Sequence, residues 1–346
     1  MRSFALFRLP YQQQQTLVMQ TSGEPLEVTS CAELSGKGGF VIAPFASSVG
    51  CPILLLRPDV VTHDIPWGQL ETEPAIASPS ISTDPRTDYH IDFSNFHAHL
   101  ENHDFSKLVL SRSIFIPADS TESAVELYQR ACASYPRMMI ILVSTPTSGM
   151  WLVATPEILL SGGEEEWNTV ALAGTMPFSE EVLWSDKNIQ EQRYVATYIT
   201  EQLEQFTSDF KESGPRTIRA GHLAHLRSDF QFKLNNSQGI GDLIQALHPT
   251  PAVCGLPKQD AFHFIQHNEH HDRSYYSGFM GPLQVEGKTN LFVTLRCMEI
   301  FTNGYRLYAG GGILKDSQEE QEWQETEAKM MTMRQLIVRG DAASER

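Results

Sequence analysis

The chain has 346 residues, with 26 Lys plus Arg against 42 Asp plus Glu and a formal net charge of −16. With 41% hydrophobic and 20% charged residues the composition is that of a globular protein able to bury a sizeable core, which excludes disorder as the main state. The acidic balance argues against nucleic acid, whose phosphates are held by clustered Lys and Arg, so an anionic ligand needs a metal or local basic groups.

Five cysteines, at 31, 51, 132, 254 and 297, form no CxxC pair, which fits a reducing compartment and a cytoplasmic location. The N-terminal apolar stretch is broken by Arg8 and does not read as a signal peptide. The most apolar region, residues 41–56, is interrupted by Pro44, Ser47, Ser48, Gly50 and Pro52. It falls short of the ~20 residues of a membrane helix, so no membrane partner is expected.

Residues 1–90 read as irregular, with strand-like pieces at 39–43 and 53–56 and a turn-rich stretch over 74–88. A helix is expected over 93–102, a strand over 107–116, a helix over 121–134 and strands over 138–143, 150–160 and 169–173. Helices follow over 187–207, 240–247 and 258–266, then strands over 278–285, 290–301 and 305–309, and a last helix over 318–338. Strands joined by short turns with helices between groups predict an α+β fold with largely antiparallel sheet. No composition break marks a linker, so one large domain is expected, with residues 1–90 as its N-terminal part, 91–338 as its catalytic region and 339–346 as a tail.

On the last helix Glu322, Glu325 and Lys329 are spaced i, i+3 and i+7 and share one face, which Glu327 does not. They read either as an acidic first turn complementing the helix dipole or as an oxygen-ligand site for a hard cation such as Mg²⁺, with Lys329 gripping an anion. Glu191 precedes Val195 and Tyr198 by four and seven residues and so points toward the buried side, where a carboxylate needs an Arg partner or a metal. Gly310, Gly311 and Gly312 after a strand are either a tight turn or a backbone that aims N–H groups at an anion. Lys107 opens the strand KLVLSRSIFI, where a solvated edge lysine is the plain reading. Glu157 follows Pro156 in an apolar stretch that would raise its pKa, and with Lys107 it could form an acid–base pair. His267, His270 and His271 lack the HExxH order, and His222 and His225 read as structural.

Together the blocks ALAGT (171–175), HLRSDFQFKL (225–234), LHPTPAVCGLP (247–257), EHHDRSYYSGFMG (269–281), TLRCMEI (294–300), LYAGGGIL (307–314) and EWQETEAK (322–329) resemble the chorismate-utilising enzymes. The resemblance implies two packed, largely antiparallel sheets with outer helices and a Mg²⁺ that holds the ring carboxylate of chorismate. It casts Glu191 and Glu325 as metal ligands with Glu322 contributing, and Arg296, Lys329 and the backbone of Gly311, Gly312 and Ile313 as the grip on the enolpyruvyl carboxylate. Gly174 and Thr175 would line the ring, with His248 and Tyr276 at further pocket positions.

Lys107 stands where the water-using members carry a lysine, and no amidotransferase portion is present, so no amidotransferase subunit is expected. The resemblance therefore implies isochorismate formation by water addition at C2 and loss of the 4-hydroxyl, with Lys107 as general base and Glu157 as general acid. Salicylate formation with pyruvate loss is the second reading, and a non-catalytic chorismate-binding subunit a third. Menaquinone and catechol siderophore pathways both stay open, with menaquinone the default. A free lysine, pKa ~10.4, is neutral in only about one molecule in 2,500 at pH 7, so a base role requires burial or nearby cations. Without Mg²⁺ the clustered carboxylates are expected to repel each other and the dianionic substrate.

Overall fold

The computed structural model describes residues 3–70, 84–118, 122–164, 166–179, 182–234 and 239–337. The chain begins with strands β1 (Ser3–Arg8), β2 (Thr16–Gln20), β3 (Leu26–Val28), β4 (Gly39–Ala43), β5 (Ile53–Leu56) and β6 (Val60–Thr62). Next come α1 (Pro85–Glu101), β7 (Lys107–Pro117), α2 (Ala124–Ser134), β8 (Met139–Thr145), β9 (Gly149–Thr155), β10 (Ile158–Gly163), β11 (Glu166–Pro177) and α3 (Asp186–Leu203). After these lie β12 (Phe210–Ala220), β13 (Leu223–Lys233), α4 (Ile240–Leu247), β14 (Gly255–Leu256) and α5 (Lys258–Asn268). The fold closes with β15 (Phe279–Leu283), β16 (Thr289–Val293), β17 (Cys297–Phe301), β18 (Gly304–Ile313) and α6 (Glu319–Ile337).

These strands form two antiparallel sheets of nine, in the orders β14-β7-β18-β17-β9-β8-β1-β2-β6 and β12-β13-β11-β10-β16-β15-β4-β5-β3. Between them lies a core of Phe7 and Trp151 from the first sheet and Phe40, Met280 and Phe292 from the second. Helices α2 and α6 cover the outside of the first sheet, and α3 and α4 that of the second. Both faces of each sheet are thus buried, so strands such as β8 are unbroken apolar runs without alternation.

Four differences from the sequence reading matter. Residues 1–90 are not irregular: β1 joins β8 and β4 joins β15, so this segment is woven into both sheets. The runs 150–160 and 290–301 are each two strands, because the chain leaves one sheet at Thr155 and Val293 and enters the other at Ile158 and Cys297. No turn residues mark these crossovers beyond Pro156, and apolar residues fill both sides. Helix α1 starts eight residues early, with Asp84 accepting from the Thr87 N–H and Pro85 in the first turn. Strands β12 and β13 form a long hairpin that the sequence pattern does not mark. Residues 74–83, Thr121, Val338 and the 339–346 tail lie outside the described residues.

Candidate active site

The two crossovers run side by side. The Val293 N–H donates to the Glu157 carbonyl (2.9 Å) and the Ala154 N–H to the Arg296 carbonyl (3.1 Å), so Glu157 and Arg296 meet at one end of the sandwich. There they line a cavity with Gly174, Thr175, Glu191, His225, Tyr276 and Lys329. Burial pushes the Glu157 carboxyl up to about 8, although Lys107, Lys329 and Arg296 pull it back. Thr250 Oγ1 approaches its Oε1 at 3.5 Å.

Lys107, the first residue of β7, is fully buried rather than at a solvated strand edge. Its Nζ lies 2.9 Å from Glu191 Oε1 but makes no well-aligned hydrogen bond. Glu191 reaches the site from α3, and its Oε2 accepts from the Gly174 N–H at 3.3 Å. Burial opposes its charge, yet Lys107, Lys187 and Lys329 outweigh it and hold the carboxyl below its usual value. Gly312 is what makes room: a Cβ there would fall 2.1 Å from Glu191 Oε1 and 3.0 Å from Lys107 Cε.

Arg296 has a left-handed backbone (φ 46°) and a buried guanidinium. Its Nη2 donates to His225 Nε2, while His225 Nδ1 donates to the Gly174 carbonyl at 2.9 Å. These partners fix a neutral ring protonated on Nδ1. Burial, Arg296 and Lys329 agree with that assignment, holding the imidazole well below its ordinary pKa. Burial likewise lowers the Arg296 pKa to about 10, against the pull of Glu157. Tyr276 stacks on Tyr308 (centroids 5.6 Å apart), which stacks on Trp151 (5.4 Å), tying the cavity wall to the inter-sheet core.

On α6, Lys329 Nζ donates to the Gly310 carbonyl (2.8 Å) and to Glu325 Oε1 (2.7 Å). Glu322 pairs with Lys187 of α3 and is 1% exposed. Glu327 turns away to Arg112 and Arg334. A Cβ on Gly311 would lie 3.3 Å from Glu325 Oε1 and 3.5 Å from Glu322 Oε2, so both carboxylates converge on this strand position. Glu322 Oε2 has no hydrogen-bond partner. An orphaned carboxylate oxygen, a side-chain-free strand beside it and an all-oxygen donor set fit a hard cation such as Mg²⁺. Among the described residues no three acidic, His or Cys side chains stand as a ready metal cage, and each of these carboxylates has a lysine beside it. The expected mutual repulsion persists beside these lysines: burial and the neighbouring Glu325 raise the Glu322 pKa although Lys187 pulls it back.

One expected pocket residue lies elsewhere. His248 does not line the cavity; its Nε2 bonds the Pro44 carbonyl at 3.0 Å, and burial beside Lys258 drops its pKa to about 3. Its block supplies Thr250, Ala252 and Val253 instead. The Ile313 side chain packs among Phe96, Leu108 and Ala261. His225, read as structural, is a cavity residue. Phe230 and Phe232 face the helix-packed side of β13, so strand alternation already puts His225 on the opposite face. His270 bonds Asp92 and His271 bonds Ser111, while Glu269 clamps Arg273 against the carbonyls of Val109 and Val253. EHHDR thus braces the cavity floor.

Residues 69–338 match the family described as chorismate binding enzyme. The chain belongs to this family. Among similar chorismate binding enzymes, isochorismate synthase EntC of Escherichia coli (strain K12) is 33% identical over 238 residues, 66% of this chain and 61% of EntC. Isochorismate synthase DhbC of Bacillus subtilis (strain 168) is 34% identical over 247 residues, 66% of this chain and 62% of DhbC. The aligned part spans less than two thirds of either relative. In fold, the crystal structure of a putative 2,3-dihydroxybenzoate-specific isochorismate synthase from Bacillus anthracis superposes with TM-score 0.81 at 24% identity, covering 96% of both chains. The two packed antiparallel sheets expected from the resemblance are therefore the chorismate binding enzyme fold. No described helix is long and apolar enough to cross a membrane.

Proposed function

We propose that the protein is an isochorismate synthase, an isomerase that interconverts chorismate and isochorismate. The observation that carries the reading is the nearness of a fully buried lysine, Lys107, to Glu157, a cavity-lining carboxyl whose pKa burial pushes up to about 8. Lys107 takes a proton from the water that adds at C2, and Glu157 gives its proton to the departing 4-hydroxyl, which leaves as water while the ring double bonds shift. In the reverse direction the two exchange roles. Arg296, Lys329 and the backbone at Gly311 and Gly312 hold the enolpyruvyl carboxylate, and Gly174 and Thr175 border the ring. His225 accepts from Arg296 and sets the direction of its guanidinium.

Glu325 and Glu322, with Glu191, would hold Mg²⁺, which when bound neutralises and orients the ring carboxylate. With Lys107 as the free amine that the base role requires, Lys187, Lys329 and Arg296 balance the three carboxylates. A divalent cation and a dianion entering together keep that balance and either alone upsets it, so their binding should be positively and reciprocally coupled. The five unpaired cysteines support a cytoplasmic location. Strands shared between the N-terminal segment and both sheets support a single domain with residues 91–338 as its catalytic region.

The test is incubation of the full chain with chorismate and Mg²⁺. Isochorismate in an equilibrium mixture, with no pyruvate and no need for glutamine or ammonia, is expected. Stoichiometric pyruvate with salicylate moves the assignment to salicylate synthase, and binding without turnover moves it to a non-catalytic subunit.

A further inference from the structure

Of the three lysines beside the carboxylates, two have a second role, since Lys107 is the proposed base and Lys329 holds the Gly310 carbonyl. Lys187 has none. It stands outside the substrate cavity, in a vestibule of about 420 Å³ that it lines with Thr175, Glu322 and Glu325. It occupies the first turn of α3, where the positive end of the helix dipole disfavours a cation. Such a local conflict calls for a tertiary reason.

That reason is the ion pair with Glu322, whose side chain is 2% exposed. Lys187 also precedes Glu191 by four residues and shares its helix face. It also lines the vestibule beside Glu325. One ammonium thus stands among all three carboxylates, which is the electrostatic position of a bound divalent cation. With a side chain 26% exposed, against 0% for Lys107 and 18% for Lys329, it is also the lysine with the most open way out.

We propose that Lys187 is a built-in competitor of the divalent cation. Its ammonium neutralises Glu322 when no metal is held, moves into the vestibule when metal binds, and so sets the metal affinity. The inference rests on the Mg²⁺ reading above. Without such a stand-in, Glu322 would be an uncompensated charge at the seam between α3 and α6.

The experiment measures Mn²⁺ binding to the full chain without substrate, from the loss of the free-Mn²⁺ electron paramagnetic resonance signal, with Mg²⁺ as competitor. Wild type is compared with Lys187→Gln and Lys187→Arg. Lys187→Gln should bind Mn²⁺ at least about tenfold more tightly than wild type, and Lys187→Arg no more tightly. Metal-free Lys187→Gln should melt below wild type and gain more melting temperature from Mn²⁺. A purely structural clamp gives the first of these two effects without the tighter binding. If Lys187→Gln fails to fold without metal, refolding in Mn²⁺ should recover it, and failure to do so counts against the proposal. Unchanged or weaker binding by Lys187→Gln, or tighter binding by Lys187→Arg, overturns it. Wild type that takes up no Mn²⁺ while remaining folded removes the Mg²⁺ reading itself, a distinguishable outcome.

Discussion

Replacing Glu157 by Gln separates what this carboxyl does for the reaction from what it costs the fold. With its pKa at about 8 instead of 4.5, the carboxyl is protonated in about 90% of molecules at pH 7, against about 0.3% for an unperturbed glutamate. The environment thus multiplies the available acid about 300-fold. The same shift is a stability penalty. The unfolded chain releases this proton near 4.5 and the folded chain only near 8, so between those values the folded state binds more protons and stability falls as pH rises. At about 1.4 kcal/mol per pH unit the loss reaches at most about 5 kcal/mol above pH 8. Glu157→Gln keeps the shape, removes the titration and should be more stable than wild type at about pH 8.5, with the advantage vanishing toward about pH 4.5. Its kcat should fall about 10²–10⁴-fold, while wild-type kcat/KM, which reports the free enzyme, should drop about tenfold per unit above about pH 8. Urea denaturation at the two pH values and kcat/KM against pH are the assays. A variant no more stable than wild type at the higher pH, or wild-type kcat/KM level through about pH 9.5, would refute the buried-acid argument.

Lys107→Ala should lower turnover by about 10²–10⁴-fold while equilibrium chorismate binding survives; a variant retaining more than about a tenth of the rate rules out the base. Gly312→Ala places a methyl 2.1 Å from Glu191 Oε1, so activity should fall at least about 100-fold with the far-ultraviolet spectrum intact. Removing metal with a chelator should abolish activity, and Glu325→Gln should raise the Mg²⁺ requirement by about tenfold or more while Glu327→Gln, whose side chain is held by Arg112 and Arg334, barely moves it. Equal effects at 325 and 327 in a Mg²⁺ titration would retire the carboxylate site. His225→Leu deprives Arg296 Nη2 of its acceptor, leaving only the Ala220 carbonyl on Nη1, and should raise the chorismate KM about tenfold with a smaller change in kcat, which steady-state kinetics reads directly.

Helix α6 is legible in the sequence because its face is written in i, i+3 and i+7 spacing, and the turn between Glu325 and Lys329 is a direct contact of 2.7 Å. The sandwich is legible from its order of apolar runs. What fails is the division of those runs. A period-two pattern reports which residues share a face, and in sheets buried on both sides that pattern disappears. The crossovers at 156–157 and 294–296 then look like mid-strand positions, although they carry the acid and the anion-binding arginine. Polar residues stranded inside an apolar run, Glu157 and Arg296, together with Pro156, are the trace of the change of sheet.

The same physics explains the two histidines. His248 sits in the most family-like block and is assigned to the pocket by position, but the Pro44 carbonyl turns its ring away, and only tertiary contact reveals that bond. His225 lies in a strand whose apolar residues at 230 and 232 put it on the other face, beside Arg227, Asp229, Gln231 and Lys233, where nothing in the sequence singles it out. Its significance needs Arg296, 71 residues away, to supply a donor for Nε2. A lone histidine on a polar strand face is ordinary; one wedged between a backbone carbonyl and a buried guanidinium is held to one tautomer and one orientation. That double constraint marks the cavity as preorganised for an anion: the guanidinium is aimed before the substrate arrives, so less ordering has to be bought by binding.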